Sequence, residues 1–314
     1  MKVDQIIIAP SEMGAGEKGA GLGPEALRIN CNLENFPLFE RIPSVHTFAP
    51  TPTLQHALQP SLSFLEDFIP VYDDLCKHTH QHLSDGKKCL ILSGDHSNAG
   101  GSLAGFKEAF PNAKTGIIWI DAHADIHTPY TTPSGNVHGM PIGASLGLEN
   151  KSQKVRMPDA KTLKAWDDLC TTGPSKICPK FKPQDLFFID IRDLEKQEWN
   201  TIKELGIAHY DHEDRQQQGI FPIIEACKKH FEDYDALYIS FDVDSLDAAL
   251  VPGTGTPVPD GLNIGQAIDL LKAFTELPQF KALEITEINP LLDRQNTVAK
   301  AVTKILKSIM DIDG

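Results

Sequence analysis

Long apolar segments are absent from this sequence. No run of apolar residues approaches the roughly 20 that a helix needs to cross a bilayer, so we expect no contact with a membrane. Nothing at the amino terminus resembles a signal peptide, and none of the six cysteines forms a C-x-x-C pair. These absences predict free thiols in a reducing compartment, and we therefore expect a cytoplasmic protein.

Positive charge is also scarce. Lys and Arg number 29 against 43 Asp and Glu, which gives a formal net charge of -14, and no basic cluster could neutralise phosphates. Nucleic acid is therefore not an expected partner, and we expect a small-molecule substrate instead.

No G-x-S-x-G sequence surrounds any serine, which disfavours a serine hydrolase. The G-x-G-x-x-G match at 14–19 lies ahead of the nearest predicted helix, which disfavours a nucleotide site.

Short apolar segments alternate with longer amphipathic ones along the chain. The amphipathic segment 298–309 is the clearest, because its apolar residues repeat at helical spacing while lysines face away. Continuous apolar runs are typical of strands buried on both faces. Such runs span residues 6–8, 89–92, 116–120, 186–191, 236–241 and 281–285. The polar segment 150–183 is interpreted as an insertion between two strands. The alternation predicts one α/β domain, residues 1–314, with three α/β/α layers around a central, mainly parallel sheet.

Polar residues of an unusual kind directly follow three of these runs. Residues 94–96 read Gly-Asp-His, residues 121–125 read Asp-Ala-His-Ala-Asp, and residues 242–244 read Asp-Val-Asp. In open α/β sheets, ligands bind at this edge, beyond the carboxyl ends of the strands. Residues two apart on an extended segment point to the same side, so both acidic segments are expected to face one crevice.

Four carboxylates in one partly buried crevice cannot all remain ionised unless cations compensate them. A single D-x-D pair would be explained more simply as caps or surface acids, but two acidic segments with a histidine motif favour a metal site. Two ions can be accommodated if one or two carboxylates bridge them. Oxygen-rich ligation with some imidazole favours manganese or a neighbouring first-row metal over a closed zinc site. The candidate ligands are His96, Asp121, His123, Asp125, Asp242 and Asp244.

These segments resemble the ureohydrolase superfamily, which includes arginases, agmatinases and formimidoylglutamases. The family motifs Gly-Asp-His, Asp-Ala-His-x-Asp and Ser-x-Asp-x-Asp occur at residues 94–96, 121–125 and 240–244. The chain is most similar to the arginase branch. Residues 131–139, Thr-Thr-Pro-Ser-Gly-Asn-Val-His-Gly, resemble the loop with which arginases hold the α-amino and α-carboxylate groups of arginine. The resemblance implies a hydrolase that converts L-arginine to L-ornithine and urea with two Mn²⁺ ions per subunit.

The resemblance also implies roles for individual residues. One manganese ion would be bound by His96, Asp121, Asp125 and Asp242. The other would be bound by Asp121, His123, Asp242 and Asp244, with Asp121 and Asp242 as bridges. A hydroxide between the ions would attack the guanidinium carbon. Residues implied in catalysis are Asp125, His138 as the proton carrier to the leaving amine, and Glu287 as the partner of the guanidinium. Residues implied to bind the substrate are His127, Thr132, Ser134, Asn136, Glu195, Glu198 and Thr256.

Two residues depart from the arginase pattern. His127 stands where arginases usually have asparagine, and Glu195 stands where they usually have the aspartate that binds the α-ammonium, whereas Glu198 agrees with the pattern. These departures leave two alternatives open. One is a related enzyme acting on another guanidino acid, agmatine or N-formimidoyl-L-glutamate. The other is a catalytically silent metal-binding protein on the same fold. The resemblance further implies a homo-oligomer, either a trimer or a hexamer.

Overall fold

Eight parallel strands form one sheet in the computed structural model, which describes residues 1–51 and 53–311. The strands are β1 (Gln5–Ala9), β2 (Ser44–His46), β3 (Cys89–Ser93), β4 (Thr115–Ile120), β5 (Leu186–Ile191), β6 (Ala208–Asp211), β7 (Ala236–Asp242) and β8 (Phe280–Thr286). Along the sheet they lie in the order β2-β1-β3-β8-β7-β4-β5-β6, and each neighbouring pair is parallel. The predicted parallel sheet is therefore confirmed. Of the predicted domain 1–314, residues 52 and 312–314 lie outside the described residues.

Helices cover both faces of the sheet. In the described ranges the α-helices are α1 (Gly23–Leu33), α2 (Leu38–Arg41), α3 (Leu54–Leu58), α4 (Ile69–Ser84), α5 (Ala99–Ala109), α6 (Pro141–Ser145), α7 (Ala160–Cys170), α8 (Lys196–Leu205), α9 (His212–Gln218), α10 (Ile220–His230), α11 (Ile264–Thr275) and α12 (Thr297–Ile309). One face packs against α1, α10, α11 and α12, and the other against α4, α5, α6 and α8. This arrangement confirms the three-layer α/β/α prediction. Within the described residues, no helix has both the length and the apolar character needed to span a membrane.

Alternating side chains on each strand fill the two layers of the core. In β1, Ile6 and Ile8 belong to the core on one face, whereas Ile7 belongs to the core on the other. This follows because successive side chains of a strand point to opposite sides of the sheet. All six predicted strands are present. Strands β2 and β6 were not predicted, because they lie at the two edges of the sheet and lack a continuous buried run.

The segment 150–183 lies between β4 and β5, as predicted, and it contains helix α7. Asp159 caps this helix, since its carboxylate accepts a hydrogen bond of 2.7 Å from the Thr162 N–H. The buried face of α7, including Trp166, belongs to a third core that also contains Val137 and Met140. The insertion therefore supports the loop 131–139, which the sequence assigned to substrate binding.

Helix α12 provides a single-site test of the core packing. Ile305 is fully buried in the core of its face, while the adjacent Lys304 is exposed. We expect Ile305→Ala to lower the free energy of unfolding by about 2–5 kcal/mol, because it removes buried contacts and leaves a cavity. Lys304→Ala on the same helix should change it by less than about 0.5 kcal/mol. Urea titrations followed by circular dichroism measure both values, and equal stabilities would contradict this packing.

Candidate metal centre

The three polar motifs meet at one edge of the sheet. Strands β3, β8, β7 and β4 are neighbours, so the residues that follow their carboxyl ends lie side by side. The predicted convergence is therefore confirmed, but the predicted extended geometry was wrong. Asp125 has a left-handed backbone conformation with φ of 51°, and Val243–Ser245 form a turn of 3-10 helix. The carboxylates converge because the chain turns sharply after each strand.

The first cluster surrounds the His96 ring. Its Nδ1 atom lies 3.1 Å from Asp121 Oδ2, 3.0 Å from Asp125 Oδ2 and 3.1 Å from Asp242 Oδ2. All four side chains are buried. The imidazole nitrogen and the oxygens of Asp121 and Asp242 lie within 4.8 Å of one another, which is the arrangement expected of a metal-binding site, and the Asp125 oxygen adjoins the nitrogen.

The second cluster is formed by the His123 ring. Its Nδ1 atom lies 3.1 Å from Asp244 Oδ2 and 3.4 Å from Asp121 Oδ1. Asp121 therefore directs one oxygen to each cluster, as a bridging ligand would. Asp242 directs Oδ2 to the first cluster and accepts a hydrogen bond of 2.8 Å from the Asp244 N–H at Oδ1, just as Asp121 Oδ1 accepts one of 2.7 Å from the His123 N–H. The two clusters are joined more directly through Asp121, because its carboxylate belongs to the groups around both His96 and His123, whereas that of Asp242 belongs to the first alone.

Buried polar residues orient the His96 ring. His96 Nε2 lies 2.8 Å from Ser240 Oγ, and the Ser240 hydroxyl lies 3.3 Å from a carboxylate oxygen of Glu284, to which it can donate. In that arrangement Ser240 accepts the Nε2–H, so the lone pair of Nδ1 faces the carboxylates. The ring also stacks on Trp119, with centroids 4.1 Å apart and planes 5° apart. Sequence reasoning gave no role to Trp119 or Glu284, because both read as parts of apolar strands, and it noted Ser240 only as the first residue of the Ser-x-Asp-x-Asp motif.

The cluster of four aspartates is electrostatically unfavourable when all of them are ionised and no cation is bound. Burial and then the charges of Asp244 and Asp121 raise the pKa of Asp242 well above its ordinary value. Burial and Asp121 also raise the pKa of Asp125 to about 6. Burial acts to lower the pKa of His96, but the surrounding carboxylates outweigh it and raise that pKa. In the described residues, His96 Nδ1 and Asp121 Oδ2 are buried without a hydrogen-bond partner. Divalent cations would satisfy both the charge and these two atoms, so the donor set fits a metal site.

A pocket of about 310 Å³ opens above the two clusters. Its rim contains every residue that the sequence predicted to bind the substrate, together with His138. Thr256 has a second role, because its hydroxyl donates a hydrogen bond of 2.9 Å to Asp244 Oδ2. The predicted contacts that line the rim are His127, Thr132, Ser134, Asn136, Glu195, Glu198 and Thr256.

The half-buried His138 and the buried Glu287 form a pair beside the first cluster. His138 Nδ1 lies 3.1 Å from Glu287 Oε1, and the same oxygen accepts a hydrogen bond of 3.0 Å from the His96 N–H. Burial acts to lower the pKa of His138, but the hydrogen bond and charge of Glu287 outweigh it and raise the pKa to about 9. Glu287 has a φ of 65°, and its N–H donates to the Gly94 carbonyl at 2.9 Å. Backbone hydrogen bonds therefore hold both the carboxylate of Glu287, through the His96 N–H, and its main chain, through the Gly94 carbonyl.

The two departures from the arginase pattern contact each other. His127 Nε2 lies 3.0 Å from Glu195 Oε2 and 3.5 Å from Glu198 Oε2, while its Nδ1 lies 3.1 Å from Thr131 Oγ1. The hydrogen bond from His127 lowers the pKa of Glu195, whereas burial and then the neighbouring Glu195 raise the pKa of Glu198. His127 and Glu195 thus form one hydrogen-bonded unit on the acidic side of the rim.

Comparisons with known proteins agree with this geometry. The model of the arginase family matches residues 4–311. The arginase of Bacillus subtilis is 29% identical over 311 residues, which cover 98% of both chains. The arginase of Entamoeba histolytica is 33% identical over 224 residues, which cover 71% of this chain and 69% of that protein. The crystal structure of Bacillus subtilis arginase matches with a TM-score of 0.80 at 28% identity, covering 98% of each chain. That of Entamoeba histolytica arginase in complex with L-ornithine matches equally, with a TM-score of 0.80, 28% identity and 98% of each chain. This chain therefore belongs to the arginase family.

Proposed function

We propose that this protein hydrolyses the guanidino group of L-arginine to L-ornithine and urea at a centre of two Mn²⁺ ions. The observation that carries the proposal is the sharing of Asp121 between two clusters of histidine and carboxylate side chains at the floor of one pocket. The near full-length similarity to arginases supports this choice of substrate. A guanidinium entering the pocket would reach both clusters at once.

The metal-binding residues are proposed as predicted from the sequence. His96, Asp125, Asp121 and Asp242 would hold one ion, and His123, Asp244, Asp121 and Asp242 the other. Their many oxygen atoms and few imidazoles favour manganese among first-row metals. When bound, the two cations lower the pKa of water between them and thereby supply a nucleophile near neutral pH.

The residues around the floor would orient the guanidinium and move a proton. Glu287 offers a buried carboxylate that can pair with a guanidinium, and the His96 N–H and His138 hold its Oε1 atom in place. Because His138 Nδ1 is engaged with Glu287, Nε2 is the nitrogen available to deliver a proton to the leaving amine. Asp125, which the sequence also assigned to catalysis, is proposed to act there as a metal ligand.

The rim would recognise the amino acid end of the substrate. Thr132 Oγ1 accepts a hydrogen bond from the Gly135 N–H, and Ser134 Oγ accepts one from the Asn136 N–H. Both hydroxyl hydrogens therefore remain available to donate to an α-carboxylate. The other side of the rim contains acidic residues, including Glu195 and Glu198, whose carboxylates favour an α-ammonium. This division suits a zwitterionic amino acid.

Two further proposals concern the assembly and location of the protein. A homo-oligomer, either a trimer or a hexamer, is proposed from the family resemblance alone. A cytoplasmic location is supported by the six cysteines, each of which is a free thiol.

The first test is hydrolysis of a substrate panel by the manganese-loaded protein. We expect urea and L-ornithine in equal amounts from L-arginine. Agmatine, guanidino acids that lack the amine and N-formimidoyl-L-glutamate should react at least about tenfold more slowly, because each loses one or more charged hydrogen bonds at the rim.

Asp121→Asn should lose most bound metal and activity, whereas the matched surface variant Asp269→Asn should keep both.

Other outcomes of this panel identify the alternatives. Urea from a different guanidino compound would contradict the assignment of L-arginine. Formamide from N-formimidoyl-L-glutamate would place the chain in the formimidoyl branch. No turnover with any divalent metal would favour a catalytically silent metal-binding protein.

His138→Asn tests the proposed proton transfer. We expect kcat to fall by about 100-fold or more while the bound metal is retained, because asparagine cannot carry a proton but occupies similar space. Steady-state urea production and metal analysis by mass spectrometry measure the two quantities. His46→Asn, an exposed histidine on the edge strand β2, serves as the control and should leave both unchanged. An unchanged kcat in His138→Asn would remove this role.

A double-mutant cycle tests the His127–Glu195 unit. We expect His127→Asn to raise the KM for L-arginine by about tenfold, or about 1.4 kcal/mol, with kcat changed far less, because Glu195 loses the partner that positions it. Glu195→Gln should raise KM further, and the double variant should match Glu195→Gln alone. Additive effects of the two substitutions on KM would show that the residues act independently.

A further inference from the structure

A buried aspartate between two arginines lies next to the metal clusters but contributes to neither. Asp190, in β5, is fully buried and has a left-handed backbone conformation with φ of 69°. The pairing of β5 with β6 is irregular at this residue. Its Oδ2 lies 3.0 Å from Arg192 Nη1, and its Oδ1 is paired with Arg215 Nε. A non-glycine residue in this conformation is unfavourable unless its surroundings hold it there, and the two guanidinium groups do so.

The two arginines fasten the segment that follows β7. Arg192 Nη2 donates to the carbonyl of Asp244 at 2.7 Å and to that of Val258 at 3.2 Å. Arg192 Nε donates to the carbonyl of Pro259 at 3.0 Å, and Arg215 Nη2 donates to the carbonyl of Asp260. The two arginines therefore attach both ends of the loop 244–260 to β5, and the carboxylate of Asp190 pairs with both guanidinium groups.

The backbone of Arg192 and its neighbour also holds the segment that follows β4. The N–H groups of Arg192 and Asp193 donate to the Ala122 carbonyl at 2.8 and 3.0 Å. Ala122 lies between Asp121 and His123 in the chain. Arg192 thus bonds directly to the two segments that supply His123 and Asp244, which are the residues specific to the second cluster.

The first cluster is held by other contacts. Among the described residues, the His96 ring is oriented by Ser240 and Trp119, and its N–H is bound by Glu287. None of the hydrogen bonds of Arg192 reaches these groups. A disturbance at Arg192 should therefore act on the second cluster directly, and on the first only through the proposed bridging residues Asp121 and Asp242.

We propose that Asp190, Arg192 and Arg215 form a positioning network that sets the affinity of the second metal site, between His123 and Asp244, more strongly than that of the first. This inference rests on the two-ion centre proposed above. The guanidinium of Arg192 is suited to this function because its planar fork fixes several carbonyls in one geometry, which a lysine ammonium does not. Outer residues that orient ligands commonly change metal affinity by about 10–100-fold.

Calorimetric titration of the metal-stripped protein with Mn²⁺ tests the network without measuring activity. We expect Arg192→Lys to weaken one of the two binding steps by about tenfold or more, and to leave the other within about twofold. After gel filtration, the bound manganese should fall from two ions to one. His123→Ala, which lacks a ligand of the same site, should lose the same binding step. Arg28→Lys, at an exposed arginine paired with Glu25 on α1, is the control and should titrate like the unaltered protein.

Asp190→Asn provides a second route to the same result. It keeps the shape of the side chain while removing the charge between the arginines, and it should weaken the same binding step. Circular dichroism of each metal-stripped variant establishes whether it is folded. If Arg192→Lys does not fold, the titration of Asp190→Asn tests the network instead. If both binding steps weakened equally in a folded variant, or if neither weakened, the proposed network would be overturned. Binding of fewer than two ions by the unaltered protein would instead overturn the two-ion centre.

Discussion

Buried negative charge at one edge of the sheet is the constraint on which the rest of this structure depends. Four aspartates lie within a few ångströms of two imidazoles, and Asp121, Asp125, Asp242 and Asp244 are all buried. Such a cluster of carboxylates can remain fully ionised in a folded protein only when cations compensate its charge. The parallel sheet makes the arrangement possible, because it places the carboxyl ends of β3, β8, β7 and β4 side by side. The ends of β3, β7 and β4 contribute one, two and three of the six candidate ligands, respectively.

The polar residues beneath the clusters give each metal site its own support. On one side, Ser240 and Glu284 lie inside the sheet and hold the His96 ring with its Nδ1 atom towards the carboxylates. On the other, Arg192 attaches the segments of His123 and Asp244 to Asp190. The contacts of Ser240 and Glu284 are buried and that of Arg192 with Asp244 is partly buried, so these hydrogen bonds compete little with water. The two ions of one centre can thus differ in affinity although they share Asp121.

The rim of the pocket adapts the arginase pattern by changing two positions together. His127 and Glu195 are 68 residues apart in the chain, yet their side chains lie 3.0 Å apart. The hydrogen bond between them joins the two side chains into one unit. Neither residue belongs to the clusters around His96 and His123. Different side chains therefore line the rim and the floor of the pocket.

The sequence by itself determined the six central strands, the edge at which they place their polar residues, and the chemical type of the site. It could do so because continuous apolar runs specify strands buried on both faces, and because clustered aspartates and histidines have few alternatives to binding metal. It did not reveal the edge strands β2 and β6, which lack such runs, or the turns that replaced the predicted extended segments at Asp125 and Asp244. Only the tertiary structure decided that His127 meets Glu195 and that Asp190 links Arg192 to Arg215. It also placed one oxygen of Asp121 at each cluster, as the family resemblance had implied. These contacts depend on distances of a few ångströms between chain segments far apart in sequence, and such distances are set by packing and not by local pattern.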